Sequence, residues 1–257
     1  MLLRNVTKHV KNQNWLAVWL DLLIVVFGVF IGIQVSNWNE QRVGEKQAKN
    51  LIQRLQLDIQ NDLEVIASTI AYQDVVRNYS IQAIDALNGD ESVSDEQFVI
   101  AAYQASQINP PWSNRSTFNE IFSTGQLNLL KSDDLKDSIL GYYSDDWAKQ
   151  AITVEVAPYR KFIRSLMPFK VQDAIRSECG DIAIQVAKSF GATLPTRCDL
   201  GLADELFSKT ADFLRQQPDL LFELQYQVSV NDVQVFNLKN FAKVAENLLT
   251  AIRDYQS

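Results

Sequence analysis

Apolar residues are spread unevenly along the chain, and their spacing predicts most of its architecture. From Leu16 to Val35 the run LAVWLDLLIVVFGVFIGIQV is interrupted only by Asp21 and Gln34. A bilayer core takes about twenty helical residues at about 1.5 Å each. The run therefore predicts a transmembrane helix over 16–38. Trp15 and Trp38 bracket it, about 34 Å apart on a helix, where amphipathic rings sit at headgroup level. A buried core helix and a cleaved signal peptide are the competing readings. The run is longer than an ordinary signal core, and Val35-Ser-Asn-Trp38 is a poor cleavage site.

Beyond the span the spacing changes. Leu51, Leu55, Ile59, Leu63, Ile66 and Ile70 recur at three and four, one apolar stripe of a long helix over about 40–88, with Arg54, Asp58, Asp62 and Glu64 on its other faces. Asn88-Gly89 supplies its stop. Ser94 with Gln97 makes a capping box for a helix through about Gln107, and Asn109-Pro-Pro-Trp112 breaks the chain. Ser116 caps a short helix that stops at Gly125. Ser132-Asp-Asp134 opens the next, which turns Leu135, Ile139, Tyr142, Tyr143 and Trp147 inward. Pro158 and Pro168 kink or divide the stretch up to Cys179. Between Cys179 and Cys198 the reading is a short helix, Ile182 to Phe190, plus a loop. Helices over about 202–217 and from Pro218 to the C-terminus complete the chain. Val228 to Val235 alternates like a strand, but its flanks are helical and it reads as helix. The expected fold class is all-α: a short tail (1–15), a transmembrane helix (16–38) continuing onward, and a helical-bundle soluble domain (39–257).

Composition narrows the function classes. The net charge is -7, yet the first fourteen residues hold Arg4, Lys8 and Lys11 and no acid, so the domain is more acidic than the total suggests. Such a surface repels phosphate backbones, and no nucleic-acid partner is expected. The single histidine, His9, lies in the tail, which leaves the domain without a histidine triad or a histidine metal site. No phosphate-binding glycine loop is present. Neighbouring acids (Asp90-Glu91, Asp95-Glu96, Asp133-Asp134, Asp145-Asp146) point apart on a helix or sit at helix starts as dipole partners. Asp90-x-Ser92-x-Ser94-x-Glu96 alternates oxygens as a Ca²⁺ loop does, but lacks the glycine and distal glutamate of an EF-hand; it reads as a turn with a cap. No cofactor or metal is expected, and an enzymatic role is the less favoured reading.

Three groups of residues carry the remaining expectations. Asp21, Gly28, Gly32 and Val35 share one face of the span. Small residues four apart let helix backbones approach closely, and an acid in a span faces protein or water, so this face is expected to pair with another helix, in a homo-oligomer or with a membrane-protein partner. Cys179 and Cys198 form a candidate disulfide, which needs an oxidising compartment; two unrelated thiols are the alternative. Lys and Arg near the span number three on each side (Arg4, Lys8, Lys11; Arg42, Lys46, Lys49), so charge alone does not orient it. With the cysteines, the expectation is a cytoplasmic N-terminus and a periplasmic domain in a bacterial inner membrane. The third group, Trp112, Arg115, Phe118, Tyr142, Tyr143 and Trp147, with Asn114, Ser123 and Thr124 beside it, is a polar-aromatic cluster that lines a pocket or groove or else packs a helical hairpin.

Two stretches resemble a known family. Asp21, Gly28 and the exit Gln34-x-x-Asn37-Trp38-Asn39-Glu40, together with Ser116 to Leu135 and the pair Tyr142-Tyr143, are similar to the signature of an uncharacterised bacterial single-pass membrane-protein family, a domain of unknown function. That family more often has Gly-Glu in place of Leu20-Asp21, and Ala in place of Gly32. The resemblance implies topology and no chemistry. The function expected is a membrane-anchored, non-enzymatic helical envelope protein that binds a partner protein or small ligand and oligomerises through its span. The alternative is a membrane-tethered enzyme using carboxylates and tyrosines on a helical scaffold.

Overall fold

A computed structural model describes residues 15–151, 158–198, 200–201 and 204–256. The basic tail lies outside the described residues. The chain is all-α apart from one small hairpin. Helix α1, Trp15–Leu87, is unbroken over 73 residues and is long and apolar enough near its N-terminus to cross a membrane. Its first part differs from its second in what surrounds it. From Trp19 to Val35 the large apolar side chains are all exposed. From Ala48 onward the same helix buries Leu51, Ile52, Leu55, Ile59 and Ile66. Gly89, in the left-handed region at φ 91°, follows its end.

Behind α1 come α2 (Asp95–Gln104), α3 (Ser116–Ser123), a 3₁₀ turn (Gln126–Leu129), α4 (Asp133–Ser144) and α5 (Trp147–Ala151). Then follow α6 (Pro158–Leu166), α7 (Phe169–Cys179), strands β1 (Ile182–Val186) and β2 (Ser189–Thr193), α8 (Asp204–Arg215) and α9 (Leu220–Gln256). The capping box at Ser94 forms with both of its hydrogen bonds, and the Ser132 side chain caps α4. Ser116 is not a cap. It is the first helical residue of α3, and the Asn114 carboxamide oxygen accepts from its N–H at 3.1 Å and its hydroxyl at 2.7 Å. Arg115 occupies the N-cap position without a side-chain cap hydrogen bond, and Asn114, one residue before it, satisfies the first helical N–H instead.

The core has two principal parts. α9 runs antiparallel along α1: Tyr255 lies near Ile52, and Asp232 pairs with Arg77 at the other end. With α3, α4 and α5 these helices bury the first cluster around Leu55, Ile59, Tyr142, Trp147 and Leu248. The second forms around α2, which is buried along nearly its whole length against α6, α7 and α8 through Phe98, Tyr159, Ile163, Ile175 and Leu214.

The segment between the cysteines corrects one expectation. Ile182 to Phe190 is not a helix. Ile182-Ala-Ile-Gln-Val186 pairs antiparallel with Ser189–Thr193, Ile184 opposite Gly191 and Val186 opposite Ser189. The alternation of β-branched residues at 182, 184 and 186 has the strand period of two. Gly191 is required on packing grounds, because a Cβ there would collide with the Val186 side chain and approach Ser68 on α1. Ala187 in the tight turn has φ 52°, a left-handed conformation that costs a residue with a Cβ about 1–2 kcal/mol. Ala187→Gly is expected to stabilise the domain by about 0.5–1 kcal/mol after the glycine's added unfolded-state entropy, seen as a raised midpoint in thermal unfolding followed by circular dichroism.

Candidate functional site

The polar-aromatic cluster forms on the half of the domain nearer the apolar N-terminal part of α1, where α3, α4 and α5 meet α1. Tyr142 and Tyr143 are neighbours on α4, so their side chains diverge by about 100° and serve different surroundings. Tyr143 stacks on Phe118 of α3 with centroids 4.3 Å apart and planes 12° apart. The two tyrosines meet edge to face at 4.8 Å, and Trp147 leans on Phe241 of α9 at 6.4 Å. Arg115 lies 5.6 Å from both the Phe118 and the Tyr143 ring centroids. It donates to the backbone carbonyls of Tyr143 at 2.5 Å and Asp145 at 3.1 Å, so its charge covers the carbonyl end of α4, where the helix dipole is negative. Trp112 packs against the same core.

All six residues named from the sequence thus come together. They fill the space between the helices. Phe118, Tyr142, Tyr143 and Trp147 are buried against one another, and two surface depressions lie elsewhere among the described residues. One, of about 450 Å³, lies along Val75, Tyr79 and Gln82 beside Thr196. Another, of about 480 Å³, is lined by Lys49, Gln53, Lys131 and Tyr255.

The centre of the cluster is a residue expected on a polar face. Asp62 is 0% exposed. Its carboxylate accepts from the Asn114 N–H at 3.0 Å, the Tyr142 hydroxyl at 2.8 Å and the Trp147 indole N–H at 3.4 Å. Asp58, one turn earlier, is also buried and accepts from the Asn114 side-chain amide at 2.8 Å. Its second oxygen and the Tyr143 hydroxyl are buried with no hydrogen-bond partner among the described residues. The expectation that Asp58 and Asp62 face away from the core is therefore wrong. It assumed that α1 has one neighbour. α1 is gripped by α9 along one side and by α3 to α5 along another, so its buried arc is wider than the Leu/Ile stripe. The spacing signal was present, since Asp58 and Asp62 lie four apart, each three residues after an apolar stripe position (Leu55, Ile59).

Burial pushes the Asp62 pKa up, since the anion loses water. The hydrogen bonds from Asn114, Tyr142 and Trp147 offset part of this, and the Asp58 charge adds to the rise. Burial likewise raises the Tyr142 and Tyr143 hydroxyls, with the Asp62 charge acting in the same direction. Chemically this is a clamp. A carboxyl shut off from solvent holds α1 to the loop before α3 through Asn114, to α4 through Tyr142 and to α5 through Trp147. Asp90, from the candidate Ca²⁺ loop, accepts the Ser92 N–H at 2.9 Å as a turn residue does. Among the described residues no group of three or more His, Cys, Asp or Glu side chains is placed to hold a metal ion.

No family model, curated protein or solved structure matches the chain. The site is read from its own geometry.

The clamp makes two measurable predictions. Asp62→Ala strands three donors, two of them buried, and is expected to destabilise the domain by about 3 kcal/mol, measured by urea unfolding. A group whose folded pKa lies above its ordinary 3.8 binds more protons folded than unfolded. Its contribution is fully present below that value and is lost as pH rises through the folded pKa. Asp62→Asn is expected to remove that loss, so that the stability difference between the two proteins shrinks with rising pH above about 3.8 and then levels off. A pH-independent difference would show that Asp62 does not titrate on unfolding.

Proposed function

We propose that this is a single-pass protein of a bacterial inner membrane, with a cytoplasmic N-terminus and a periplasmic, non-enzymatic helical domain that binds a partner protein or small ligand. In this reading its span oligomerises through the face bearing Asp21, Gly28, Gly32 and Val35. The observation that carries the proposal is the change of surroundings along α1. From Trp19 to Val35 every large apolar side chain is exposed, a surface costly in water, whereas the same helix from Ala48 onward is the spine of a packed domain.

Other observations support the finer points. Cβ atoms added at Gly28 and Gly32 would meet nothing within 4 Å, so that face is open to a second helix. Cys179 and Cys198 are joined in a disulfide with Cα atoms 5.6 Å apart, a normal spacing for a bond that persists in oxidising compartments. The exit motif from Gln34 to Glu40 resembles that of the uncharacterised bacterial family. The rival reading of a membrane-tethered enzyme built on carboxylates and tyrosines has weaker support, because Asp62 is closed to solvent and its oxygens are already engaged.

The expected result is that the protein stays in the membrane pellet after alkaline carbonate extraction. Its domain is digested by protease added to spheroplasts, and its cysteines react with a maleimide only after reduction. Release by carbonate, or protection of the domain in intact spheroplasts, would overturn anchoring or orientation respectively. Gly28→Leu combined with Gly32→Leu is expected to lower self-association in detergent at least tenfold, read by analytical ultracentrifugation.

A further inference from the structure

Helix α9 carries a second face that the packed domain does not use. Its inner side buries Leu224, Gln227, Asn231, Leu238, Ala245 and Leu248. On its outer side Phe222 is 67% exposed, Tyr226 58%, Phe236 64%, and Val233 and Val244 are also exposed. At about 100° per residue these five fall within an arc of about 80°, on the side of the helix turned away from most of its buried residues. With exposed Ser229 and Asn240 the positions 222, 226, 229, 233, 236 and 240 are spaced four, three, four, three and four apart, the 3.5-residue repeat of a helix pair.

We infer that two copies of this chain pair through this face, with their α9 helices parallel and in register from Phe222 to Asn240. The orientation rests on the anchored reading proposed above, since two copies held in one bilayer point the same way and a two-fold contact between them must be parallel. The occupant follows from area and charge. The five apolar side chains expose on the order of 500 Å² on each copy, so a pair covers on the order of 1,000 Å², the lower bound for a specific interface, and a shared membrane raises the effective concentration. In parallel register Gln225, Asp232 and Lys239 flank the seam opposite Val230, Asn237 and Val244 of the second copy, so no like charges meet. Asp232 is already held by Arg77 at 2.6 Å. Asn240 would face its own copy, and a polar amide at such a position favours two strands in register. Lys243 comes next in the repeat and would face another lysine, so the central seam stops at Asn240 and Val244 only flanks it beyond that point.

The test uses the full chain in its membrane. Both native cysteines are in the disulfide, so an introduced thiol is the reactive one. Ser229→Cys and Phe236→Cys, oxidised with copper phenanthroline, are expected to give several-fold more covalent dimer than Arg253→Cys, which is exposed on another side of α9. Adding Val233→Glu is expected to reduce that dimer at least tenfold without moving the thermal midpoint, because Val233 is exposed. Crosslinking of Ser229→Cys no greater than that of Arg253→Cys, or unchanged by Val233→Glu, overturns the pair. The α9 crosslink is expected to survive Gly28→Leu with Gly32→Leu, which separates this contact from pairing of the spans. Carbonate extraction separately reports on anchoring, so failure of that reading is not confused with failure of this one.

Discussion

The contact between α1 and α9 organises the domain. Two helices packed antiparallel from the Ile52–Tyr255 end to the Arg77–Asp232 end bury Leu55, Ile59, Ala245, Leu248 and Ile252 between and beside them. Each fully buried Leu or Ile contributes about 1.5–3 kcal/mol of transfer free energy. Everything else is attached to this pair. The α3–α5 block closes one side through the Asp62 clamp, the hairpin lies across α1 where Gly191 permits it, and the second core around α2 fills the far end. α1 can serve as this spine because it is already a helix when it reaches the domain, so ordering its first turns there needs no new nucleation.

The buried carboxylate at the join has a cost that the aromatic cluster offsets. A lone ionised side chain in an apolar core is strongly unfavourable, and removing its partners is worse than never having had them. Tyr142, Trp147 and the backbone at Asn114 satisfy Asp62 from three separate segments. That arrangement is specific as well as stabilising, because only one docking of α4 and α5 on α1 brings both side chains to the same carboxylate. Arg115 completes it from outside by covering the end of α4, so the cluster behaves as a fastening between segments and its aromatic rings are filler around it.

The all-α class, the continuous first helix, the capping box at Ser94, the stop at Gly89 and the inward set of α4 were legible in the sequence because each depends on local spacing or on a cap within a few residues. The hairpin was not legible because short apolar runs fit either period, and the approach of Gly191 to Ser68 of α1 is non-local. Asp58 and Asp62 were misassigned for the same reason: how many neighbours α1 has is a tertiary fact, and it determines how wide a face is buried. The aromatic residues of the candidate site lie in one cluster, and whether such residues line a space or fill it depends on helix distances that no single segment encodes.

The unbroken backbone from Trp15 to Leu87 has a mechanical consequence. A span joined to its domain by a flexible linker lets the domain tumble. Here no swivel exists, so the domain follows the tilt and rotation of the apolar N-terminal part of α1. From Trp38 to Leu87 the helix reaches about 74 Å, and a tilt of about 20°, common for single spans, would carry its far end sideways by about 25 Å. For an anchored chain, a small change in bilayer thickness or in how two spans cross would therefore be felt at the far core as a large swing, with α1 acting as the lever.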